Sequence, residues 1–234
     1  MLEIEGLNAW YGASHVIHDL SFSVEQGEIL ALVGRNGAGK TSTIKAIMGL
    51  MPRATGRVRF GGQDLLPLPA HERFRRGLGY VPEERRIVPG LTVRENLQIG
   101  LVSSRTAIDE AAAIDEIACS FPRLKERLEQ QGTTMSGGEQ QMLAIARAMI
   151  SKPQMILLDE PSEGIMPVLV EEMGDLFRNL RESGVTLLLV EQNVEWALKL
   201  ADRAVIIDQG AVVHRASAAS LLADAEIQER YCAV

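Results

Sequence analysis

Apolar residues occur in short continuous runs that alternate with stretches of helical periodicity. Continuous runs of four or five apolar residues predict buried strands. Two further short strands, 56–60 and 79–81, are predicted beside a glycine or a proline. The strands are predicted at residues 29–33, 56–60, 79–81, 155–158, 186–190 and 204–207. Helical stretches separate the last three of these strands. Buried strands with helices between them predict an α/β fold with a mostly parallel sheet that is covered on both faces.

Two regions depart from this alternation. Residues 2–10 and 20–24 predict an antiparallel pair of strands near the start of the chain. From about residue 87 to residue 151 there is no strong strand signal, and helices are predicted at about 107–119 and 123–131. We therefore predict one domain over the whole chain, with a helical subdomain inserted at about 87–151.

Composition and charge narrow the class of protein. The chain has 24 Lys and Arg against 31 Asp and Glu, a net charge of −7, which argues against a broad nucleic-acid surface. The longest stretch without a charged residue, 6–18, is shorter than the ~18 apolar residues of a spanning helix. The two cysteines, Cys119 and Cys232, cannot form a disulfide framework, and the first residues lack the features of a signal peptide. These observations predict a cytoplasmic protein that does not cross a membrane by itself.

The turn after the 29–33 strand fits the phosphate-binding P-loop pattern. Two glycines, Gly34 and Gly39, are followed by Lys40 and Thr41. Glycines allow successive backbone amides to point at phosphate oxygens, and the following helix adds the positive end of its dipole. Lys40 is expected to reach the β- and γ-phosphates, and the Thr41 hydroxyl to ligate Mg²⁺. The alternative, a chance glycine turn, is disfavoured because a strand and a helix flank it.

Two carboxylates follow the 155–158 strand. Asp159 is expected to hold Mg²⁺, and Glu160 to polarise the attacking water as a general base. A carboxylate at the carboxyl end of a buried parallel strand faces the ligand crevice. The alternative is an ordinary Asp-Glu-Pro turn after a strand, and the P-loop pattern elsewhere in the chain disfavours this interpretation.

A second anion site is predicted at residues 135–141. Ser136 and Glu139 form a capping box that begins a helix, as Thr92 and Glu95 do earlier in the chain. Two intervening glycines, residues 137 and 138, leave the first amides of the helix open to a ligand. One P-loop already accommodates one triphosphate, so this second site is a candidate for a nucleotide held on another subunit.

With these motifs together, the sequence resembles the ATP-binding cassette family, whose signature Leu-Ser-Gly-Gly-Gln here reads Met135 to Glu139. The resemblance implies a RecA-like P-loop NTPase with an N-terminal antiparallel β subdomain and a helical insert. It implies two cassettes packed head to tail, with each ATP between one P-loop and the partner's signature, and Tyr11 stacked on adenine. The resemblance implies ATP binding by Asn36, Gly37, Ala38, Gly39, Lys40, Thr41 and Ser42, and contact with the partner's ATP by Ser136, Gly137, Gly138 and Glu139.

Three positions depart from the usual family pattern. Glu83 stands where the family has Gln, and Gln192 stands where it has the His that contacts the γ-phosphate. The loop at 162–166 also lacks its usual Leu-Asp end. Glu83 remains able to bind Mg²⁺ and ATP, while Gln192 can hydrogen-bond a phosphate but cannot become cationic. A nucleotide-binding switch with little catalysis therefore stays open as a hypothesis.

The departures resemble one subgroup, the second ATPase subunit of branched-chain amino-acid importers. The segments that carry this resemblance are 81–86, 136–141 and 190–194. It implies an ATP- and Mg²⁺-dependent ATPase that drives a separate membrane permease, with a second ATPase subunit and, indirectly, a periplasmic solute-binding protein as partners. It also implies a peripheral location on the cytoplasmic face of the inner membrane.

Two alternatives stay open. One is an importer subunit for urea or amides, since relatives of the subgroup carry such solutes. The other is a soluble cassette that acts on nucleic acid or ribosomes, for which the only support is a basic run at residues 73–86 that a solvated face explains more simply. A permease contact is expected between residues 83 and 91, where Ile87, Val88 and Leu91 offer either a contact surface or ordinary packing.

Overall fold

The computed structural model describes residues 1–102 and 109–231. The strands are β1 (Leu2–Tyr11), β2 (Ser14–Val24), β3 (Ile29–Val33), β4 (Arg53–Phe60), β5 (Gln63–Asp64), β6 (Leu78–Val81), β7 (Met155–Asp159), β8 (Thr186–Val190), β9 (Arg203–Asp208) and β10 (Ala211–Ser217). The helices are α1 (Lys40–Ile47), α2 (Ala70–Arg75), α3 (Val93–Leu101), α4 (Glu110–Ser120), α5 (Pro122–Lys125), α6 (Gly137–Met149), α7 (Pro167–Glu182), α8 (Val194–Leu200), α9 (Ala218–Leu222) and α10 (Ala225–Tyr231). A 3₁₀ turn covers Gly132–Thr134.

The larger sheet has six strands in the order β10-β9-β3-β8-β7-β6. All neighbours from β9 to β6 are parallel, and β10 joins β9 antiparallel at one edge. Every residue of β3, β7 and β8 is buried, as expected for central strands covered on both faces. The predicted mostly parallel sheet is therefore confirmed.

The smaller sheet has four antiparallel strands in the order β2-β1-β4-β5. The predicted antiparallel pair is confirmed, with β2 beginning at Ser14, earlier than the sequence pattern indicated. One apolar cluster, including Leu7, Leu20 and Ile44, packs the inner face of this sheet and α1 against one face of the larger sheet. This packing fixes α1, and with it the turn that precedes it, against β3.

The chain between β6 and β7 is helical in its described part. Both predicted capping boxes are present, Thr92 with Glu95 on α3 and Ser136 with Glu139 on α6. The predicted helix at 107–119 begins in residues outside the described ranges, and α4 runs on from Glu110 to Ser120. A second apolar cluster packs these helices, α7 and α8 against the other face of the larger sheet.

The helix predicted at 123–131 is wrong. Only the four residues of α5 are helical. The carbonyl oxygens of Leu128 and Gln130 accept hydrogen bonds from the N–H groups of Arg94 and Val93, each over 2.9 Å. Those N–H groups belong to the first turn of α3, which leaves them without partners inside their own helix. Residues 126–130 therefore form turns and a bend instead of continuing α5, and carbonyl oxygens of this segment satisfy the start of α3.

Among the described residues, no helix is both long and apolar enough to cross a membrane.

Candidate active site

The predicted P-loop, catalytic and metal-binding residues follow four strands that are neighbours in the larger sheet. In the order β3, β8, β7, β6, these strands end at the same edge. The glycine-rich turn 34–39 follows β3, Gln192 follows β8, Glu160 follows β7 and Glu83 follows β6. Parallel strands place their carboxyl ends together, so four distant parts of the sequence meet at this edge.

The glycine-rich turn has a backbone that only glycine adopts easily at three positions. Gly34 has φ of 150°, Gly37 has φ of 78° and Gly39 has φ of 106°. A Cβ on Gly34 would lie 2.1 Å from the carbonyl oxygen of Ile207, so any other residue would have to displace β9. The turn leads directly into α1, so the N-terminus of that helix lies beside the glycines, an arrangement typical of anion sites.

A cavity of about 510 Å³ opens beside this turn. Its wall combines residues of the turn and α1 with residues from the other three strand ends. The predicted site residues that line it are Asn36, Gly37, Gly39, Lys40, Thr41, Ser42, Glu83, Glu160 and Gln192. Ala38 is buried within the turn. The cavity has the size of a small-molecule site, and its lining carries both cationic and anionic groups.

Lys40 is buried, and its ammonium group is held inside the turn. Its Nζ donates hydrogen bonds to the carbonyl oxygens of Gly34, at 2.9 Å, and Arg35, at 3.2 Å. The same atom lies 3.7 Å from Oε1 of Glu160. A cation that fixed carbonyl oxygens hold at the cavity wall is positioned to meet phosphate oxygens.

Asp159 ends β7 and is only 1% exposed. Its Oδ1 accepts a hydrogen bond from the Thr41 hydroxyl over 2.9 Å, and its Oδ2 accepts one from the Tyr80 hydroxyl over 3.3 Å. Burial raises the pKa of Asp159, the hydrogen bond from Thr41 opposes that rise, and the negative charge of Glu83 adds to it. Carboxylate and hydroxyl oxygens are the ligands that Mg²⁺ prefers, so the chemistry of this pair fits that ion.

Glu160 faces Gln192 across adjacent strand ends. The Gln192 side-chain N–H donates a 2.7 Å hydrogen bond to Oε2 of Glu160. The Glu160 backbone is left-handed, with φ of 49°, and its N–H donates to the Val190 carbonyl oxygen over 2.9 Å. Burial raises the pKa of the Glu160 carboxyl, although the charge of Lys40 and the bond from Gln192 oppose the shift. A fixed carboxylate with a raised pKa is suited to accept a proton from water.

Two histidines that the sequence motifs do not mark also line the cavity. They are His15 and His18, both on β2, whereas Tyr11 lies exposed at the end of β1. The His15 ring stacks on Trp10 with centroids 4.3 Å apart, and its Nε2 lies 2.9 Å from the Asn8 side-chain oxygen. Exposed positions in an antiparallel hairpin carry no sequence signal for a neighbouring cavity, because the packing of β2 on α1 creates that proximity.

Tyr80 is a further neighbour of the site that no motif identifies. Burial raises the pKa of its hydroxyl, and the charge of Asp159 raises it further. The hydroxyl therefore stays protonated and acts as a donor to Asp159. Its position one residue before the end of β6 becomes informative only once the pairing of β6 with β7 is known.

The residues of the predicted second anion site lie at the start of α6, outside the lining of the cavity described above. Ser136 donates to Oε2 of Glu139 from both its N–H and its hydroxyl, at 3.0 and 2.8 Å. Against the effect of burial, these bonds and the charge of Arg127, 2.8 Å away, lower the pKa of Glu139. A Cβ on Gly138 would lie 2.2 Å from the end of the Leu169 side chain, so α6 and α7 pack closely at this position.

A family profile decides the identity of this fold and site. The ABC transporter profile matches residues 17–163, more than half of the chain. The chain belongs to the ABC transporter family. It is an ATP-binding and ATP-hydrolysing subunit, and ATPase subunits of this family work as dimers with membrane permeases.

Named relatives cover nearly the whole length of this ABC ATPase. It is 43% identical over 231 residues to the high-affinity branched-chain amino acid transport ATP-binding protein BraG of Pseudomonas aeruginosa, covering 99% of each chain. It is 36% identical to the probable branched-chain amino acid transport ATP-binding protein LivF of Archaeoglobus fulgidus, covering 99% of this chain and 98% of that one. It is 34% identical to the lipopolysaccharide export system ATP-binding protein LptB of Escherichia coli K12, covering 98% and 96%.

Solved structures agree with the architecture. An ATP-binding subunit of an ABC transporter superposes with a TM-score of 0.84 at 29% identity, over 98% of this ABC ATPase and 97% of that chain. A nucleotide-free ATP-binding cassette superposes with a TM-score of 0.86 over 98% and 97%, and at 23% identity it supports the fold alone. The predicted P-loop NTPase fold, with its antiparallel sheet and helices, is thereby confirmed.

Proposed function

We propose that this chain is the ATP-hydrolysing subunit of an importer for branched-chain or related small amino acids. The observation that carries the proposal is the 43% identity to BraG, which extends over 99% of both chains. The segments by which the sequence resembles the branched-chain subgroup include Glu83 and Gln192, two of the positions that depart from the usual family residues. The similarity to LivF supports the same assignment.

ATP binds in the cavity at the edge of the larger sheet. Backbone N–H groups of residues 36–42 surround its phosphates, and Lys40 neutralises the β- and γ-phosphates. Tyr11 stacks on the adenine from the hairpin of β1 and β2, whose residues His15 and His18 line the same cavity. The left-handed glycines of the turn and the buried position of Lys40 support this assignment.

Thr41, Asp159 and Glu83 are the residues that would hold Mg²⁺. All three offer oxygen atoms, and the 2.9 Å bond between Thr41 and Asp159 places two of these groups together. When bound, the ion neutralises charge on the β- and γ-phosphates. Glu83 is exposed at the cavity wall and already influences Asp159 through its charge.

Hydrolysis uses Glu160 as the general base. Its carboxylate accepts a proton from water, the water oxygen bonds to the γ-phosphorus, and the bond from that phosphorus to the β,γ-bridging oxygen breaks. Gln192 orients Glu160 through the 2.7 Å hydrogen bond and hydrogen-bonds the γ-phosphate. If the chain is instead a binding switch, Gln192→His will raise the ATPase rate of the assembled complex well above the wild-type rate.

A second cassette completes each ATP site. Ser136, Gly137, Gly138 and Glu139 contact the ATP that a partner's P-loop holds, with the open amides at the start of α6 as the anion-binding groups. The partner is a second ATPase subunit, identical to this chain or different from it. ATP binding closes the pair and hydrolysis reopens it.

The permease binds near the loop between β6 and α3. Ile87 packs against the buried core, whereas Val88 is 36% exposed, which favours Val88 over Ile87 as a contact. The helical subdomain of about residues 87–151 flanks this loop, and a short permease helix would lie in the groove beside it. A periplasmic solute-binding protein supplies the solute, and the ATPase is peripheral on the cytoplasmic face of the inner membrane.

The basic run at residues 73–86 gives little support to action on nucleic acid. Arg73 is buried and its guanidinium donates to the carbonyl oxygens of Ala46 and Ile47. The other arginines of the run also have protein partners, which are Glu72 for Arg75, Gln63 for Arg76, Gln141 for Arg85 and Glu84 for Arg86. Arginine side chains that are paired with other protein groups do not form a continuous surface for binding the phosphates of nucleic acid.

Purification of the tagged full chain from its own membranes, followed by uptake measurements, tests the proposal. We expect a permease and a solute-binding protein to copurify, and deletion of the chain to abolish uptake of leucine, isoleucine and valine. The wild-type chain restores uptake, whereas Glu160→Gln does not. Unchanged uptake of these amino acids in the deletion strain would overturn the proposal. Loss of urea or amide uptake instead would indicate one of the related importers. Copurification of lipopolysaccharide-export proteins would indicate a role like that of LptB. Salt-dependent binding of DNA or RNA would favour the soluble alternative.

A further inference from the structure

Glu191 is a buried carboxylate that lies between the two functional strand ends without lining the cavity. It follows β8 directly, precedes Gln192 and is 1% exposed. Its Oε1 accepts a 2.9 Å hydrogen bond from the Ser162 N–H, and its Oε2 accepts a 2.8 Å bond from the Ser162 hydroxyl. Both oxygens of one carboxylate therefore engage one serine, and that serine belongs to the turn after β7.

Burial of this carboxylate is unfavourable for its charged form. Burial raises the pKa of Glu191 to about 7, and the nearby charge of Glu160 adds to that rise, although the bonds from Ser162 and from the Asn193 N–H oppose it. An apolar residue at this position would avoid that cost. This costly group instead holds Ser162 of the turn after β7 by two hydrogen bonds, besides the local one from the Asn193 N–H.

The turn that Ser162 belongs to also carries Glu160. Two links join this turn to the end of β8, one from the Glu160 N–H to the Val190 carbonyl oxygen at 2.9 Å and one from the Gln192 side chain to the Glu160 carboxylate at 2.7 Å. The Glu191 bonds form a third link two residues further along. Because Glu160 is left-handed, with φ of 49°, its turn requires such support from its surroundings.

The same turn continues to the start of α6. The Ile165 N–H donates to the Ser162 carbonyl oxygen over 3.3 Å, and the Ile165 side chain would lie 3.7 Å from a Cβ on Gly138. Ser162 is therefore connected on one side to Glu160 and on the other, through Ile165, to the segment that begins α6.

We propose that Glu191 is a positioning residue for ATP hydrolysis, which holds Ser162 so that the Glu160 carboxylate stays aligned with Gln192. Glu191 acts through Ser162 and does not touch ATP. The inference rests on the proposed function, because it takes Glu160 as the general base. It predicts a loss in the chemical step without a loss in nucleotide binding.

The test compares Glu191→Gln, Ser162→Ala and the double variant in the purified full chain, with Glu195→Gln as the matched control. Glu195 lies on α8 and is exposed, where it pairs with Lys199. Each single variant is expected to lower kcat at least about tenfold, as loss of a supporting hydrogen bond does at other sites, with KM and ADP affinity within about twofold. The double variant is expected to lose little more than either single one, because both remove the same contact.

Three results would overturn the inference. They are a wild-type kcat for Glu191→Gln, losses that add fully in the double variant, and a rise in KM that accounts for the whole loss. Thermal unfolding and ADP binding of each variant identify a folding defect, and Ser162→Ala keeps the backbone bond to Glu191 as the milder change. Glu160→Gln, measured in parallel, distinguishes failure of the proposed function from failure of the role of Glu191. If Glu160→Gln hydrolyses ATP at the wild-type rate, the proposed function fails. If Glu160→Gln is impaired but the Glu191 and Ser162 variants are not, only the role of Glu191 fails.

Discussion

The Thr41 hydroxyl donates a 2.9 Å hydrogen bond to the Asp159 carboxylate, although 118 residues separate the two in sequence. Thr41 lies in the first turn of α1, and Asp159 ends β7. The bond brings the glycine-rich turn and the acidic strand end into one unit across β8, which lies between β3 and β7. Both groups are thus arranged before any ligand has to bring them together.

Thr41→Ala removes one of the two linked oxygen ligands. We expect ATPase activity at saturating ATP to fall about 100-fold, because the Mg²⁺ that the proposal places there loses a ligand and its orientation. The dependence of the rate on Mg²⁺ concentration is the measurement, and chelation should abolish wild-type hydrolysis. Thr55→Ala, at an exposed position on β4, is the control. A wild-type Mg²⁺ dependence for Thr41→Ala would argue against this ligand.

Gly34→Ala introduces a Cβ 2.1 Å from the Ile207 carbonyl oxygen. We expect the variant to lose ATP binding and to unfold more easily than Gly62→Ala, whose Cβ would meet open space among the described residues. Both glycines have positive φ, 150° for Gly34 and 78° for Gly62, so both variants are strained and the further loss in Gly34→Ala reports the clash together with its less accessible backbone. Chemical unfolding and nucleotide titration measure it. Equal stability of the two variants would show that the turn accommodates a Cβ at Gly34, contrary to the predicted clash.

Arg73 supports the end of α1 from within the protein. It is 3% exposed and donates to the backbone carbonyl oxygens of Ala46 and Ile47 at 2.9 and 2.6 Å. Arg73→Ala leaves these buried acceptors without that donor, so we expect it to lower the free energy of unfolding by about 3 kcal/mol. Arg75→Ala, at an exposed position on the same helix, should change it by less than about 0.5 kcal/mol. Urea unfolding distinguishes them, and similar losses would contradict the burial argument.

Glu191 makes folding stability depend on pH. Burial raises its pKa to about 7, above the ordinary value of 4.5. Between these values the folded chain keeps the proton that the unfolded chain releases, so this contribution is full below pH 4.5 and is lost as pH rises through 7. In Glu191→Gln the decline in unfolding free energy from pH 5 to pH 8 should shrink, by on the order of 3 kcal/mol at most. The control Glu182→Gln, at an exposed position on α7, should show the same decline as the wild-type chain. If Glu191→Gln also shows the wild-type decline, Glu191 does not change its protonation between pH 5 and pH 8 and the prediction is wrong.

The sequence pattern located the buried strands well because burial on both faces leaves an uninterrupted apolar run. The bounds of β3 and β8 were predicted to the residue. Two other strands were not predicted: β5 has only two residues, both polar, and β10 is a half-exposed edge strand without a continuous apolar run. Local pattern also failed at 123–131, where hydrogen bonds to the start of α3 decide the conformation.

Some residues of the site were predictable from local sequence, and others were not. The glycine-rich turn, Lys40, Thr41, Asp159 and Glu160 belong to motifs that are local in sequence, so their convergence was predictable from the order of strands and helices. Tyr80, His15 and Glu191 reach the site through strand pairing and packing, and each is an ordinary residue in its own segment. Their contributions therefore became visible only with the three-dimensional structure.

The steady-state ATPase rate of Glu160→Gln tests the central claim most directly. The carboxylate is buried and fixed by Gln192, and an amide of the same shape keeps the geometry but cannot accept the proton. We predict a rate at least about 100-fold below wild type, with Glu182→Gln unchanged. Hydrolysis by Glu160→Gln at the wild-type rate would contradict the account.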